Sequence, residues 1–166
     1  MQQQDVARVL SDPLSQELMQ SSIPARLAYM GADGFPRAIP IGFHWNGAEF
    51  VLCTVPHAPK VPALKANPKV ALTVDTNAFP PHVLLVRGIA VIDIVDGIPP
   101  EYFAASRKAI GPDQWDAFEA SASDVQTDGS YQNYTALGEG AGLPDAISYS
   151  HREIDSSGEL MNAPHY

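Results

Sequence analysis

Hydrophobic and polar residues alternate along several segments in the first half of the chain. The alternation covers residues 25–30, 36–45 and 49–54, and a fourth segment at 69–75 is rich in β-branched side chains. A period of two residues is typical of a β-strand with one buried face. Asn46–Gly47 is the dipeptide favoured by tight hairpin turns. The pattern therefore predicts a three-stranded antiparallel meander followed by a fourth strand.

A long apolar segment at residues 82–95 predicts a fifth strand, in which Gly88 marks a bulge or bend. Helical patterns flank the strands at residues 12–20, 61–66 and 99–122. The first helix begins after Asp12, a side chain suited to capping it, and Gly111–Pro112 divides the last one. Closely spaced antiparallel strands favour a small barrel, because closure removes exposed sheet edges. The predicted fold class is mainly β, a β-barrel with flanking helices.

The regular pattern ends near residue 122, which divides the chain into two predicted parts. Residues 1–122 form the folded domain. Residues 123–166 contain few large aliphatic side chains among many Gly, Ser, Asp and Asn residues. We predict an acidic, loop-rich C-terminal extension, in which residues 146–150 have the pattern of a short strand.

The net charge of −9 is unevenly distributed. Acidic and basic residues balance over residues 1–95, whereas residues 96–166 carry twelve acidic residues against three basic ones. An acidic chain without a basic stripe is repelled by a phosphate backbone, so a nucleic-acid partner is not expected. The isolated cations of the first half are better suited to a small anion.

Cysteine and histidine usage argues against a metal site. Cys53 is the only cysteine, which excludes an internal disulfide and a cysteine metal cage. The five histidines show no spacing typical of metal ligands. No apolar run approaches the roughly 18 residues of a membrane span, and the N-terminal residues lack the pattern of a signal peptide. We therefore expect a cytoplasmic protein.

Three polar side chains of the first half have the chemistry of a phosphate-monoester site. Thr54 ends a predicted strand, Lys60 begins a predicted helix, and Arg37 lies on a neighbouring strand. A hydroxyl, an ammonium and a planar guanidinium all bind phosphate oxygens well. The alternative is that Lys60 and Arg37 are solvated surface side chains, which is the more common situation for charged residues.

The same region resembles the pyridoxamine 5′-phosphate oxidase-like superfamily of split β-barrel proteins. The similar segments are PRAIPIGFHW, AEFVLCT, VPHAPK and VPALKANPKVALTVD, and the later VLLVRGIAVI and PPEYFAASRKAIGPDQW extend the resemblance over about residues 12–120. Members place an arginine on the second strand, a serine or threonine at the end of the third, and a basic residue at the start of the helix. Arg37, Thr54 and Lys60 occupy those positions here.

The resemblance implies an FMN-binding split barrel that forms a homodimer. Arg37, Thr54 and Lys60 would hold the FMN phosphate, and the backbone of Ile39, Pro40 and Ile41 would line the isoalloxazine ring. Pro59 belongs to the same cofactor-binding segment. Many members have serine and arginine directly before the helix lysine, where this chain has Ala58 and Pro59.

The implied function is an FMN-dependent oxidoreductase acting on a small organic substrate. No catalytic residue is expected, because the flavin ring itself carries the hydride. Two alternatives stay open: a reductase that uses a deazaflavin cofactor, and a non-catalytic flavin- or haem-binding protein. Pyridoxamine 5′-phosphate oxidase activity itself is not expected, since a phosphorylated substrate needs a second basic cluster and the C-terminal half has only three cations.

Overall fold

A computed structural model of the chain describes residues 3–55, 57–95, 97–126, 132–136 and 146–150. These residues form eight strands and five helices. The strands are β1 (Ala25–Met30), β2 (Pro36–Ile41), β3 (His44–Trp45), β4 (Phe50–Thr54), β5 (Lys69–Asp75), β6 (His82–Ile92), β7 (Gln132–Ala136) and β8 (Ala146–Ser150). The helices are α1 (Gln3–Ser11), α2 (Pro13–Gln20), α3 (Lys60–Ala66), α4 (Pro100–Ala109) and α5 (Pro112–Gln126).

All of the described strand pairs are antiparallel. The pairing order is β2-β1-β5-β6-β7-β4-β3, and β8 also pairs with β6. The long strand β6 joins the two halves of the sheet: residues 83–89 pair with β5 and residues 90–92 pair with β7. The end strands β2 and β3 are consecutive in the chain and are separated by only Gly42 and Phe43.

This arrangement confirms the mainly β fold with flanking helices. Complete closure of the barrel is not observed, because the described pairings leave the sheet open between β2 and β3. The predicted single strand at residues 36–45 is interrupted at Gly42–Phe43. Phe43 is 1% exposed and packs against Phe50, with ring centroids 5.7 Å apart. Burial of this side chain accounts for the change of direction between the two short strands.

Several local predictions are confirmed, and two differ from the structure. The Asp12 side chain caps α2 by accepting a hydrogen bond from the Leu14 N–H, and Asn67 ends α3. Of the bulge or bend predicted at Gly88, the bulge is not observed in the pairing with β5: Gly88 pairs with Val70 in an uninterrupted register, so no extra residue is inserted. Strand β6 ends at Ile92, where its pairing with β7 also ends, and not at residue 95 as predicted.

The region after residue 122 contributes two strands to the sheet. The predicted short strand at residues 146–150 is confirmed as β8, which pairs with β6. Strand β7, which the hydrophobic pattern does not indicate, pairs with both β4 and β6. The other parts of the predicted extension, at residues 127–131, 137–145 and 151–166, lie outside the described residues.

The core fills the space between the sheet and α2. Its fully buried side chains include Met19 from α2, Leu72 from β5 and Leu84 from β6. A second apolar cluster joins α4 to α5 through stacked and edge-on aromatic rings: Tyr102, Phe103, Trp115 and Phe118. None of the described helices has the length and apolar character needed to cross a membrane.

Candidate functional site

Lys60 is the first residue of α3 and lies at the edge of the barrel interior. Its half-buried side chain borders a narrow cavity of about 10 Å³, otherwise lined by apolar residues: Leu27, Ile41, Leu52, Leu64, Val70 and Ala90. Burial lowers the pKa of Lys60 from its ordinary value of 10.5. A partly desolvated ammonium is stabilised when an anion approaches it. Lys60 is therefore neither fully solvated nor inert, as required of a ligand-binding cation.

The first turn of α3 adds little to this cation. The helix is seven residues long and has no side-chain cap. The Val61 N–H donates to the Ala58 carbonyl at 2.9 Å, so this donor is already used. The Lys60 ammonium is thus the principal positive group at this end of α3.

Thr54 lies at the same end of the barrel as Lys60. It is the last residue of β4, two positions after Leu52, and side chains two positions apart on a strand share one face. Leu52 lines the Lys60 cavity. Two residues of strand span about 7 Å, so Thr54 lies that far along β4 from Leu52, on the same face of the strand.

Arg37 lies two strands away from a residue that lines the Lys60 cavity. It lies opposite Tyr29 on β1, and Tyr29 lies opposite Val70 on β5. Val70 lines the Lys60 cavity. Two interstrand spacings amount to about 10 Å, and the β2 residue that lines the cavity is Ile41, four positions after Arg37. We call Arg37, Thr54 and Lys60 the rim triad.

The guanidinium of Arg37 already has an anionic partner. Its Nη1 and Nη2 donate to the two carboxylate oxygens of Asp33 at 3.0 and 2.8 Å. This hydrogen bonding holds the pKa of Asp33 below its ordinary value. The guanidinium covers Gly31 so closely that an added Cβ there would lie 1.5 Å from Nη1. Both charged side chains are exposed, so a stronger anion can compete with the Asp33 carboxylate for Arg37.

The remaining predicted site residues lie along β2 and before α3. Ile39 and Ile41 are partly buried and pack against the core, whereas Pro40 is exposed. Strand β2 ends the described pairing order, so its second edge is not paired with any described strand. An unpaired edge leaves backbone groups available to a planar ligand. Pro59 is exposed and is the residue directly before α3.

A larger cavity, which sequence reasoning did not indicate, lies between α4 and the ends of β2 and β4. Its volume is about 250 Å³, and its lining residues are Gly42, Cys53, Tyr102, Ala105, Ser106, Ala109 and Ile110. We call it the α4 cavity. Burial raises the pKa of Cys53 to about 12, and the carboxylate of Glu101 adds to this effect. The Cys53 thiol is therefore protonated at neutral pH and is not an activated nucleophile.

The two cations of α4 are engaged outside this cavity. The Arg107 guanidinium lies 4.4 Å from the centre of the Trp115 ring. The Lys108 ammonium donates to the Met19 carbonyl at 3.1 Å and lies 3.6 Å from the centre of the Phe43 ring. Burial lowers the pKa of Lys108 to about 8. Within the described part of the chain, no three His, Cys, Asp or Glu side chains converge as metal ligands.

Comparison with known proteins identifies the family. The sequence model described as pyridoxamine 5′-phosphate oxidase matches residues 11–127 of the chain. The chain therefore belongs to the pyridoxamine 5′-phosphate oxidase family, as the resemblance of its strand and helix motifs indicates. No curated protein matches the chain in sequence.

Solved structures with the same fold include proteins of different described roles. An F420 reductase is 21% identical, with a TM-score of 0.55 over 74% of this chain and 91% of its own. HutZ, the heme storage protein from Vibrio cholerae, is 15% identical, with a TM-score of 0.54; the match covers 77% of this chain and 89% of HutZ. The conserved hypothetical protein Rv2991 from Mycobacterium tuberculosis is 15% identical, with a TM-score of 0.50 over 90% and 93%. At these identities, the likeness establishes the split-barrel fold.

Proposed function

We propose that the chain is an FMN-dependent oxidoreductase that binds the cofactor phosphate at the rim triad and acts on a small organic molecule. The observation that carries this proposal is the placement of Lys60. Its ammonium is partly removed from water at the edge of an apolar interior, and no ion pair among the described residues neutralises it. A phosphate dianion would supply the negative charge that neutralises the Lys60 ammonium.

The other residues of the site have complementary roles in this proposal. Thr54 donates its hydroxyl to a phosphate oxygen, and Arg37 exchanges the Asp33 carboxylate for the phosphate. The partly buried Ile39 and Ile41 hold the β2 backbone in place along the ring. Bound flavin supplies the hydride chemistry, whereas the chain positions the ring and excludes water from it.

We also propose that a second copy of the chain completes the site. The side chains of Phe35 and Ile94 are large and apolar, yet they are 70% and 63% exposed. The unpaired edge of β2 is likewise open. Pairing of two copies would cover apolar surface of this kind and shield the flavin from solvent.

A deazaflavin reductase is the second candidate, and the likeness to an F420 reductase favours it. The rim triad would bind the phosphate of either cofactor. The deazaflavin carries a longer acidic tail, which would need additional cations, whereas residues 96–166 are strongly acidic. The likeness to HutZ keeps a haem-binding protein as a third candidate. The absorption spectrum of the purified protein separates flavin, deazaflavin and haem.

Titration with FMN and riboflavin tests the phosphate role directly. Flavin fluorescence should show that Lys60→Ala weakens FMN binding by about 10- to 100-fold, because a hydrogen bond to a charged group contributes about 1.5–3 kcal/mol. Riboflavin lacks the phosphate, so its affinity should change less than about twofold. Lys65→Ala, an exposed lysine of the same helix, is the matched control.

Two results would contradict the proposal. Equal weakening of FMN and riboflavin by Lys60→Ala would show that Lys60 does not bind the phosphate. Absence of any flavin binding by the unmodified protein would exclude the flavin function, and the deazaflavin titration would then test the second candidate.

A further inference from the structure

The α4 cavity shares lining residues with the ends of the two strands that carry the proposed flavin site. Gly42 follows Ile41, the last of the β2 residues proposed to line the ring, and Cys53 precedes Thr54 of the rim triad. Neighbouring residues of a strand face opposite sides. On β4, Leu52 lines the Lys60 cavity and Cys53 lines the α4 cavity, so this strand presents a different cavity on each face.

The size of the α4 cavity suits a small planar molecule. Its volume is about 250 Å³, whereas an engineered apolar cavity of about 150 Å³ is large enough to bind benzene. Small side chains create this space: a Cβ added to Gly42 would still be 4.0 Å from the Cβ of Ala105. A molecule of two fused rings would fill it.

The lining of the cavity is uncharged. Gly42, Ala105, Ala109 and Ile110 are apolar, and the polar lining groups are two hydroxyls and the thiol of Cys53. No charged side chain of the described residues lines it. An anionic ligand would lose its hydration without gaining a cationic partner, which is unfavourable.

The nearby charges reinforce this preference. Arg107 is engaged with Trp115, and Lys108 is engaged with Met19 and Phe43, so neither lines the cavity. The Glu101 carboxylate adds to the raising of the Cys53 pKa by burial, so it places a negative charge within electrostatic reach of one lining residue. A negative potential of this kind repels a phosphate ester.

We propose that the α4 cavity is the substrate site and that it selects an uncharged one- or two-ring molecule over a phosphorylated one. This inference rests on the proposed flavin function, because the role of substrate is assigned by the position of the ring. The hydroxyls of Tyr102 and Ser106 would orient the polar group of the ligand, and the apolar wall would contact its rings.

A matched pair of probes tests the inference: 2-naphthol and 2-naphthyl phosphate. Binding is measured by calorimetry on the full chain saturated with FMN, so that the rim triad is occupied and cannot capture the phosphate probe. We expect 2-naphthol to bind at least tenfold more tightly than 2-naphthyl phosphate. Equal binding, or tighter binding of the phosphate ester, would overturn the inference.

Variants locate the binding in the α4 cavity. Ala105→Leu fills part of the space and should weaken 2-naphthol binding at least fivefold. Ala104→Leu, the neighbouring position outside the lining, is the matched control and should change it less than twofold. Equal effects of the two variants would overturn the assignment to this cavity.

A gain-of-binding variant remains informative if Ala105→Leu does not fold. Ser106→Lys introduces a cation into the lining and should raise the affinity for 2-naphthyl phosphate at least fivefold; an unchanged affinity would contradict the inference.

The FMN titration distinguishes the two proposals. If FMN binds and the probe preference fails, only this inference falls. If FMN does not bind, the proposed function and the substrate role fail together.

Discussion

Replacement of Lys108 by methionine tests how α4 is held against the rest of the fold. The Lys108 ammonium contacts two other elements at once: the Met19 carbonyl in the last turn of α2, and the Phe43 ring between β2 and β3. Methionine is an unbranched apolar side chain of similar length that can fill the same space but cannot donate a hydrogen bond. Lys108→Met therefore removes both polar contacts and leaves most of the packing.

Three effects set the size of the change. A hydrogen bond from a charged donor contributes about 1.5–3 kcal/mol, and a cation–π contact about 0.5–2 kcal/mol. Desolvation opposes both, as the lowering of the Lys108 pKa from 10.5 to about 8 indicates. A shift of that size corresponds to about 3 kcal/mol, and solvent screening reduces it to about 1 kcal/mol because the side chain is only half-buried. Because the lowered pKa means that burial disfavours the charged form more strongly than these two contacts favour it, we expect Lys108→Met to change the free energy of unfolding by less than about 1 kcal/mol at pH 7.

The pH dependence of this difference has a definite sign. Between pH 8, near the folded pKa of Lys108, and its ordinary value of 10.5, the unfolded chain binds more protons than the folded chain. Wild-type stability therefore gains a contribution as the pH rises through this window, and the variant does not. The free energy of unfolding of the wild type should therefore rise relative to that of Lys108→Met by about 1 kcal/mol between pH 8 and pH 10.5.

Urea unfolding at several pH values measures the difference. Lys65→Met, which alters an exposed lysine of α3, is the matched control and should parallel the wild type. A difference between wild type and Lys108→Met that shrinks as the pH rises would refute the reasoning. It would mean that the contacts with Met19 and Phe43 favour the charged form more strongly than burial disfavours it.

Three further predictions concern the core, the thiol and the rim triad. Leu72→Ala, at a position 1% exposed, should lower the free energy of unfolding by about 2–5 kcal/mol in urea; a loss below about 1 kcal/mol would contradict its central packing. Cys53 should resist iodoacetamide at pH 8 in the folded protein and react in urea, because burial raises its thiol pKa to about 12; rapid labelling without urea would exclude this. Asp33→Asn should strengthen FMN binding up to about fivefold by releasing Arg37, and an unchanged affinity would mean that Asp33 does not compete with the phosphate.

The local elements of the fold follow closely from the sequence. Strands β1 and β5 have the bounds that the sequence predicts, and the Asn46 side chain accepts hydrogen bonds from Ala48 and Glu49 in the predicted turn. Asp12 caps α2. Alternation, capping and turn preferences act within a few residues, so the residues themselves determine these features.

The candidate site could be predicted only in part. The identities of Arg37, Thr54 and Lys60 follow from the sequence, and of these three residues it is Lys60 that lines the cavity. The ion pair between Arg37 and Asp33 could have been suspected from their spacing of four residues. The α4 cavity could not be predicted from the sequence, because it depends on how α4 packs against the end of β2.

The sequence by itself determined most of the strand and helix segments, the family membership and the chemical types of the rim triad. The tertiary structure decided that Lys60 is partly buried and that Gly42–Phe43 separates two strands. It also decided that β7 pairs with both β4 and β6, and that the two cations of α4 make their contacts outside the α4 cavity. These features arise from contacts between residues far apart in the chain. Periodicity records which face of a segment is buried, but not which distant segment covers it.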